Sequence, residues 1–295
     1  MSATITREAP PHTGGPPVRP RAVPSVVWLV GPSVVFMAAL FGWPVVQGVL
    51  QAFTGADGGL TGEHVARMVA DPYFWPAVRN TLLLIVVLIP VQFAFAVTMA
   101  LLLRARPRFA GAYFYLWVIP LAVSDLAAGL VWLAVFTDRG YLNSALATIG
   151  LEPVAWLAFD DPVSLFVCVL VAELWRATSL VLVIVVAGLQ GIPKDYEEAA
   201  AVFGAGPWER LRRVVLPLLR PSLQVALILR TILAFQTFAV AQALTGQNFP
   251  LLVGETYRWY TGLQNPNVAA ALALVVLVIS MLTSLVYLRA LRESR

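Results

Sequence analysis

The stretch Gly188–Pro221, GLQGIPKDYEEAAAVFGAGPWERLRRVVLPLLRP, decides the fold, because it is a long polar interruption between apolar runs that also carries helix punctuation. Asp195 followed three residues later by Glu198 reads as an acidic capping box, with Pro193 just upstream and an alanine run at 199–201 favouring helix. Gly204 and Gly206 then stop that helix. Pro207 suits the first turn of a second short helix, which Trp208–Val215 continues until Pro217, where a new apolar run begins. Two short helices joined at glycine between two spans make a surface feature that another polypeptide can grip. An ordinary connecting loop is the plainer reading of the same spacing.

Composition bounds the kind of protein that carries this stretch. Of 295 residues, 59% are hydrophobic and 12% charged, a balance that places the chain among all-α integral membrane proteins rather than soluble domains. The formal charge of +4 comes from basic residues dispersed beside apolar runs, which gives no reason to expect nucleic acid as a partner. The single cysteine, Cys168, excludes an intrachain disulfide and reads as a small buried hydrophobe. Residues 1–24, rich in Pro, Gly and Arg, read as a disordered tail. Ser25 to about Leu50 is too long for a signal-peptide core and reads as an uncleaved span, with Gly31-Pro32 and Gly42-Trp43-Pro44 predicting a bent or broken helix. Five further runs, at roughly 80–103, 110–136, 163–190, 218–245 and 267–289, each reach the ~20 residues a bilayer requires. The expectation is a six-span domain over 25–289, containing the polar loop 190–217 between the fourth and fifth spans, and a tail at 290–295.

Basic residues along the connections set the orientation. Arg7, Arg19 and Arg21 precede the first span, Arg104, Arg106 and Arg108 separate the second from the third, Lys194, Arg210, Arg212 and Arg213 lie in the central loop, and Arg289, Arg292 and Arg295 end the chain. The alternate connections hold only Arg67, with Arg79 at a border, then Arg139, then Arg258, and 137–162 is net acidic through Asp138, Glu152, Asp160 and Asp161. Both termini and the central loop are therefore expected on the cytoplasmic side.

Four charges fall within the spans, Asp125, Glu173, Arg176 and Arg230, and charge at membrane depth is costly unless it pairs or faces a cavity. At ~1.5 Å per helical residue they come out about 18 to 24 Å from the same membrane face, which permits contact. Glu173 and Arg176, three apart, are expected to pair along one helix, leaving Asp125 and Arg230 as a cross-helix pair. Two roles fit: a neutral clasp that fixes packing, or a part in binding a solute and gating its path. The fifth span carries Gln236, Thr237, Gln242 and Thr245, which either line a hydrophilic path or bond to neighbouring helices. Tyr257, Trp259 and Tyr260, with Trp156 earlier, read as an interfacial aromatic belt or as carbohydrate-stacking residues, and a short surface helix is expected at Thr61–Val69. Lys194 is the only lysine and follows Pro193, so the chain has no G-x-x-x-x-G-K-[ST] phosphate loop, and any ATP hydrolysis belongs to another polypeptide. The only histidines, His12 and His64, offer no metal or catalytic cluster.

Glu198-Ala199-Ala200, Gly204-Ala205 and Leu216-Pro217 with Pro221, preceded by Leu189, Ile192-Pro193 and Tyr196, resemble the EAA motif of permease subunits of bacterial type I ABC importers. Phe203 stands where many members carry an aspartate. Glu173-Leu174-Trp175-Arg176 resembles a segment of sugar-importer permeases. The run Phe235 to Gly246, with Glu255-Thr256 and Tyr260, is similar to the carbohydrate-uptake branch, although Ala239 follows Phe238 where that branch usually has an aspartate. The resemblance implies a permease that works by alternating access on a di- or oligosaccharide or a related polar solute such as glycerol phosphate. It implies an ATPase-coupling loop made by Tyr196, Glu197, Glu198, Ala199, Ala200, Gly204, Ala205, Gly206, Leu216 and Pro217. A substrate path is implied near Asp125, Glu173, Trp175, Arg176, Arg230, Gln236 and Gln242. The implied partners are a second permease subunit in a heterodimer, two ATPase subunits or domains that carry ATP and magnesium, an extracytoplasmic solute-binding protein and the bilayer of a bacterial inner membrane. The chain itself is expected to hold no cofactor or metal. From the intramembrane charges alone, an ion-coupled secondary transporter is the alternative, and a membrane-embedded enzyme would need a catalytic cluster those charges do not supply.

Overall fold

The protein is described here as a computed structural model covering residues 26–290; the tails expected at 1–24 and beyond Ala290 lie outside the described residues. The chain divides into two compact units, one ending at Gln47 and one beginning at Gly48. Among the described residues the elements are helices, as spans must be, because a segment in lipid has to bond its own backbone. In the first unit, α1 (Val26–Met37) runs through a π-turn at Ala38–Gly42 into the start of α2 (Trp43–Phe53), whose residues from Gly48 onward belong to the second unit. The expected break at Gly42-Trp43-Pro44 does not occur. Pro44 has no N–H for the carbonyl four residues back, and the wider turn before it, where the Trp43 N–H donates to Ala38 O, makes room for the ring.

In the second unit, α3 (Glu63–Ala70) is the expected surface helix, and α4 (Phe74–Arg104) begins several residues earlier than the apolar pattern suggested. There follow α5 (Ala110–Val118), α6 (Asp125–Phe136), α7 (Tyr141–Thr148), α8 (Pro162–Gln190), α9 (Asp195–Val202), α10 (Pro207–Arg210), α11 (Leu216–Phe235), α12 (Ala239–Thr245), α13 (Leu252–Tyr257) and α14 (Pro266–Ala290). Among the described residues five helical stretches are long and apolar enough to cross a membrane, or six if the pair Ala110–Ala122 and Asp125–Thr148 counts as one.

That pair corrects the straight third span expected at 110–136, because its halves are bent by 105°. Pro120 sits in a 3₁₀ turn (Ile119–Ala122), Val123 is extended, and Ser124 restarts the helix by accepting a hydrogen bond from Ala127 N at 3.3 Å. Asp125 then occupies the first turn, where a carboxylate suits the helix dipole. The fifth span is also broken. α11 closes with tight bonds from Gln236 N to Leu233 O and Thr237 N to Ala234 O, and α12 starts after Phe238. Gln236 and Thr237 therefore lie in the break rather than along a helix.

The central loop departs in two further ways. Lys194, not Asp195, is the residue before α9, and no side chain caps that end, so the capping box is absent. Pro217 ends nothing: Pro207–Phe235 is one helical stretch, because a π-turn at Leu211–Val215 precedes Pro217 as one precedes Pro44. Cys168 is buried, as expected.

Apolar side chains of α4, α6, α8 and α12 form one core, with Leu84, Leu88, Phe136, Leu165, Val240 and Leu244 among them. A second core joins the far ends of α4 and α8 to α11 through Ala96, Leu182, Val185, Val215 and Leu219. Two glycines let backbones approach. A Cβ on Gly129 would stand 2.6 Å from Ala243 Cβ and 3.2 Å from the Val240 backbone, and one on Gly188 would stand 2.6 Å from Ser222 Cβ. Gly129→Ala is expected to lower stability by about 1–3 kcal/mol through overpacking between α6 and α12. Turning the Ser222 hydroxyl away does not move its Cβ, so Gly188→Ala is expected to cost about as much between α8 and α11; thermal unfolding of the two variants in detergent checks both.

Candidate functional site

The four intramembrane charges come together: the expected Glu173–Arg176 pair forms, but the expected Asp125–Arg230 pair does not. Glu173 on α8 and Arg230 on α11 are both 1% exposed, and Arg230 Nη2 lies 3.0 Å from Glu173 Oε2. Arg176 Nη1 reaches Asp125 Oδ1 at 2.7 Å, while its Nη2 is 3.4 Å from Glu173. The cross-helix pair is thus Glu173 with Arg230, and Asp125 belongs to Arg176. The bend explains the exchange: α6 begins at Asp125, so this carboxylate stands at a helix start rather than midway along a straight span. Gln92 on α4 completes the cluster, accepting from Arg230 Nε at 2.8 Å and donating to the Glu173 carbonyl at 3.3 Å. Gln92 is fully buried. Sequence reasoning missed it by counting charges, although a lone amide two residues after Pro90 in an apolar run was a usable signal. Two carboxylates and two guanidiniums leave the cluster formally neutral, as burial demands.

Donor capacity is left over here. Arg176 Nε, Arg230 Nη1 and Trp132 Nε1 are buried without a hydrogen-bond partner among the described residues. Trp132 also lines a cavity of about 500 Å³ with Trp117, Trp175, Thr178 and Ser179. Trp132 and Trp175 meet edge to face at 6.1 Å. Trp132 and Trp175 therefore share one wall of the cavity. Gln242 lines a separate small pocket with Phe238 and Tyr257, and Gln236 is exposed in the helix break. Neither glutamine side chain is hydrogen-bonded to the charge cluster.

Of the outer aromatics, Trp259 is buried and packs with Ala52, Phe74 and Val268, so it is neither a belt nor a stacking residue. Trp156 is held by its Nε1 on Asn143 Oδ1 at 3.0 Å, and Asn143 also bonds Asp138 O and Val154 O. Tyr257 and Tyr260 are exposed. Arg258 joins Asp71 at 2.8 Å and Glu255 at 2.5 Å and lies over Tyr73 and Trp259. Burial pushes the Glu255 carboxyl above its ordinary range, with the Arg258 guanidinium opposing.

In the central loop, α9 ends in a Schellman motif: Gly204 N bonds Ala201 O and Ala205 N bonds Ala200 O, both at 3.0 Å, with Gly204 at φ +84°. A side chain at Gly204 would meet nothing within 4 Å, so only its left-handed backbone calls for glycine. Gly206 has ordinary φ and precedes Pro207. Arg104, at the end of α4, fixes this loop. Its guanidinium bonds the Leu189 carbonyl, the Ile192 carbonyl at 3.2 Å, and Glu197 at 2.5 Å. Glu197 therefore points into the protein. Tyr196, Val202, Phe203 and Trp208 are exposed, whereas Leu216 and Pro217 are half-buried in the helix that follows.

Residues 92–292 match the model of the binding-protein-dependent transport system inner membrane component. The chain belongs to that family. It is a multi-pass permease subunit of an ABC importer, not an enzyme. It is 31% identical to the sulfoquinovosyl glycerol transport system permease protein of Agrobacterium fabrum over 279 residues, 90% of each chain. It is also 31% identical to the trehalose/maltose transport system permease protein of Thermococcus litoralis, over 78% of each chain. Its fold matches a solved bacterial ABC transporter involved in the import of the acidic polysaccharide alginate, with a TM-score of 0.79, 19% identity, and coverage of 90% of this chain and 96% of the other.

Removing one member of the buried pair tests the permease's clasp. Arg230→Leu leaves Glu173 with only its longer contact to Arg176 and is expected to destabilise the protein by up to about 3–5 kcal/mol. Glu173→Leu combined with Arg230→Leu is expected to cost less than Arg230→Leu alone, measured as unfolding midpoints and as the amount of protein inserted in the membrane.

Proposed function

We propose that this permease carries a polyhydroxylated solute, a di- or oligosaccharide or a related glycoside, by alternating access driven by a separate ATPase. The observation that carries the reading is a tryptophan-lined cavity with a buried, unpartnered donor, Trp132 Nε1, in its wall. Aromatic faces take the C–H side of a sugar, and spare N–H groups take its hydroxyls. The relatives' transport systems are named for a sulfoquinovosyl glycerol, for trehalose and maltose, and for sn-glycerol-3-phosphate, all rich in hydroxyls. On this reading Asp125, Glu173, Trp175, Arg176 and Arg230 border the solute path, while Gln236 and Gln242 mark its continuation at the broken fifth span.

The loop from Asp195 to Gly206 is the coupling element, in keeping with its likeness to the EAA motif. Tyr196, Glu198, Ala199, Ala200, Gly204, Ala205 and Gly206 form or shape the docking face, with Val202 and Phe203 at its apolar tip. Glu197 serves it from behind through Arg104. Two ATPase subunits holding ATP and magnesium, a second permease chain in a heterodimer and an extracytoplasmic solute-binding protein complete the importer. One solved neighbour of like fold is in complex with an alginate pentasaccharide-bound periplasmic protein. The basic connections put the loop and both termini in the cytoplasm of a bacterial cell.

Reconstituted vesicles test the reading. ATP-dependent uptake of a labelled disaccharide or glycoside is expected, and Trp175→Ala is expected to weaken it with ATP hydrolysis retained; uptake driven by an ion gradient without ATP would overturn the assignment. Gly204→Asp forces a side chain into a left-handed backbone at about 1–2 kcal/mol, and with charge reversal at Glu198 it is expected to leave the chain inserted but separate hydrolysis from uptake. Arg104→Met is expected to produce the same separation, with Glu197→Gln milder, read as solute moved per ATP hydrolysed.

A further inference from the structure

A second cavity lies away from the charge cluster, where two spans end. It measures about 430 Å³ and is lined by Leu103, Val186 and Leu189 on its apolar wall and by Arg104, Arg106 and Lys194, with no acidic side chain among its lining residues. Arg104 is committed to Glu197 and the end of α8. Arg106 and Lys194 are exposed and have no ion-pair partner among the described residues. Lys194 also borders the neighbouring cleft, which Glu197 and Glu198 line, but Glu197 pairs with Arg104 and neither carboxylate forms an ion pair with the lysine.

Depth identifies the occupant. α4 has 31 residues and α8 has 29, or about 46 and 44 Å at ~1.5 Å per residue, against a hydrocarbon core of about 30 Å. Both helices outrun the hydrocarbon core, and their basic ends, with Arg104, Arg106 and Lys194, suit the headgroup level. An apolar wall with two unpaired cations at its rim, at that depth, matches a molecule with one anionic phosphate and a hydrocarbon body.

We propose that this cavity between the ends of α4 and α8 binds an anionic phospholipid, with Arg106 and Lys194 on its phosphate and Leu103, Val186 and Leu189 along its upper chain. The site goes beyond the transport reading and needs neither ATP nor solute. Because the cavity touches Ile192 and Pro193 just before α9, the lipid becomes part of the support beneath the coupling loop.

The test uses the full-length chain, purified in neutral detergent with whatever subunits accompany it, and native mass spectrometry with titrated lipid. Phosphatidylglycerol is expected to be retained in preference to phosphatidylcholine of the same chains. Arg106→Gln or Lys194→Gln is expected to weaken phosphatidylglycerol binding roughly fivefold, and the two together roughly thirtyfold, with phosphatidylcholine binding unchanged. Equal retention of the two lipids, or undiminished phosphatidylglycerol binding by the double variant, overturns the proposal. Glycerol phosphate competing as well as the whole lipid overturns it too, in favour of a free-phosphate site. Loss of ATP-driven uptake leaves this result untouched, so the two readings fail separately.

Discussion

The constraint on which the rest of the second unit depends is electrostatic: a carboxylate and a guanidinium, both buried at membrane depth, must stay together. Glu173 and Arg230 meet that demand across α8 and α11, and Gln92 brings α4 into the same arrangement. The lengthwise packing of these helices is apolar and only weakly specific about register. A hydrogen-bonded ion pair is not. It permits one azimuth and one height for each of three helices, so the surrounding leucines and valines pack against a frame already set. Arg176 extends this frame to Asp125, at the point where the bent third span restarts. The least regular segment is thereby tied to the most rigid one.

The same device recurs outside the bilayer with a different purpose. Arg258 gathers Asp71 and Glu255 from separate elements, and Arg104 gathers the end of α8 and the first turn of α9. Each guanidinium offers several donors in a plane, which suits it to join three elements at once where lysine would join fewer. In the loop this matters for force. On the proposed coupling role, a push on α9 would reach α4 through Arg104 as well as α8 through the chain, two helices that also hold the buried clasp.

Much of this was legible in the sequence because it is one-dimensional: apolar run length, the alternation of basic connections, and the glycine and proline punctuation of 188–221 describe membrane spans without reference to neighbours. The four charges within the spans could likewise be picked out by composition. Their partners could not. Depth along a helix says nothing of azimuth, and the break at Val123 moved Asp125 from mid-span to a helix start. Gln92 escaped because an uncharged amide in an apolar run looks tolerable until its three-dimensional partners are known. The missing capping box has a simpler cause, since the start of α9 at Lys194, Asp195 and Tyr196 is exposed and water can meet its free N–H groups.

Two prolines that pattern reasoning took for interruptions sit in unbroken helices, each just after a π-turn. Such a turn accommodates one residue more than an α-helix of the same length, and every side chain beyond it is rotated by about 100° from where a uniform helix would carry it. For the helix that begins at Pro207, this rotation is what aims Arg230 at Glu173. The extra residue in Leu211–Val215 is therefore an angular setting, made near the membrane surface and read out several turns deeper. A chain shorter by one residue there would keep its hydropathy and its prolines, and would set Arg230 about 100° round from its present angle relative to the start of the helix at Pro207.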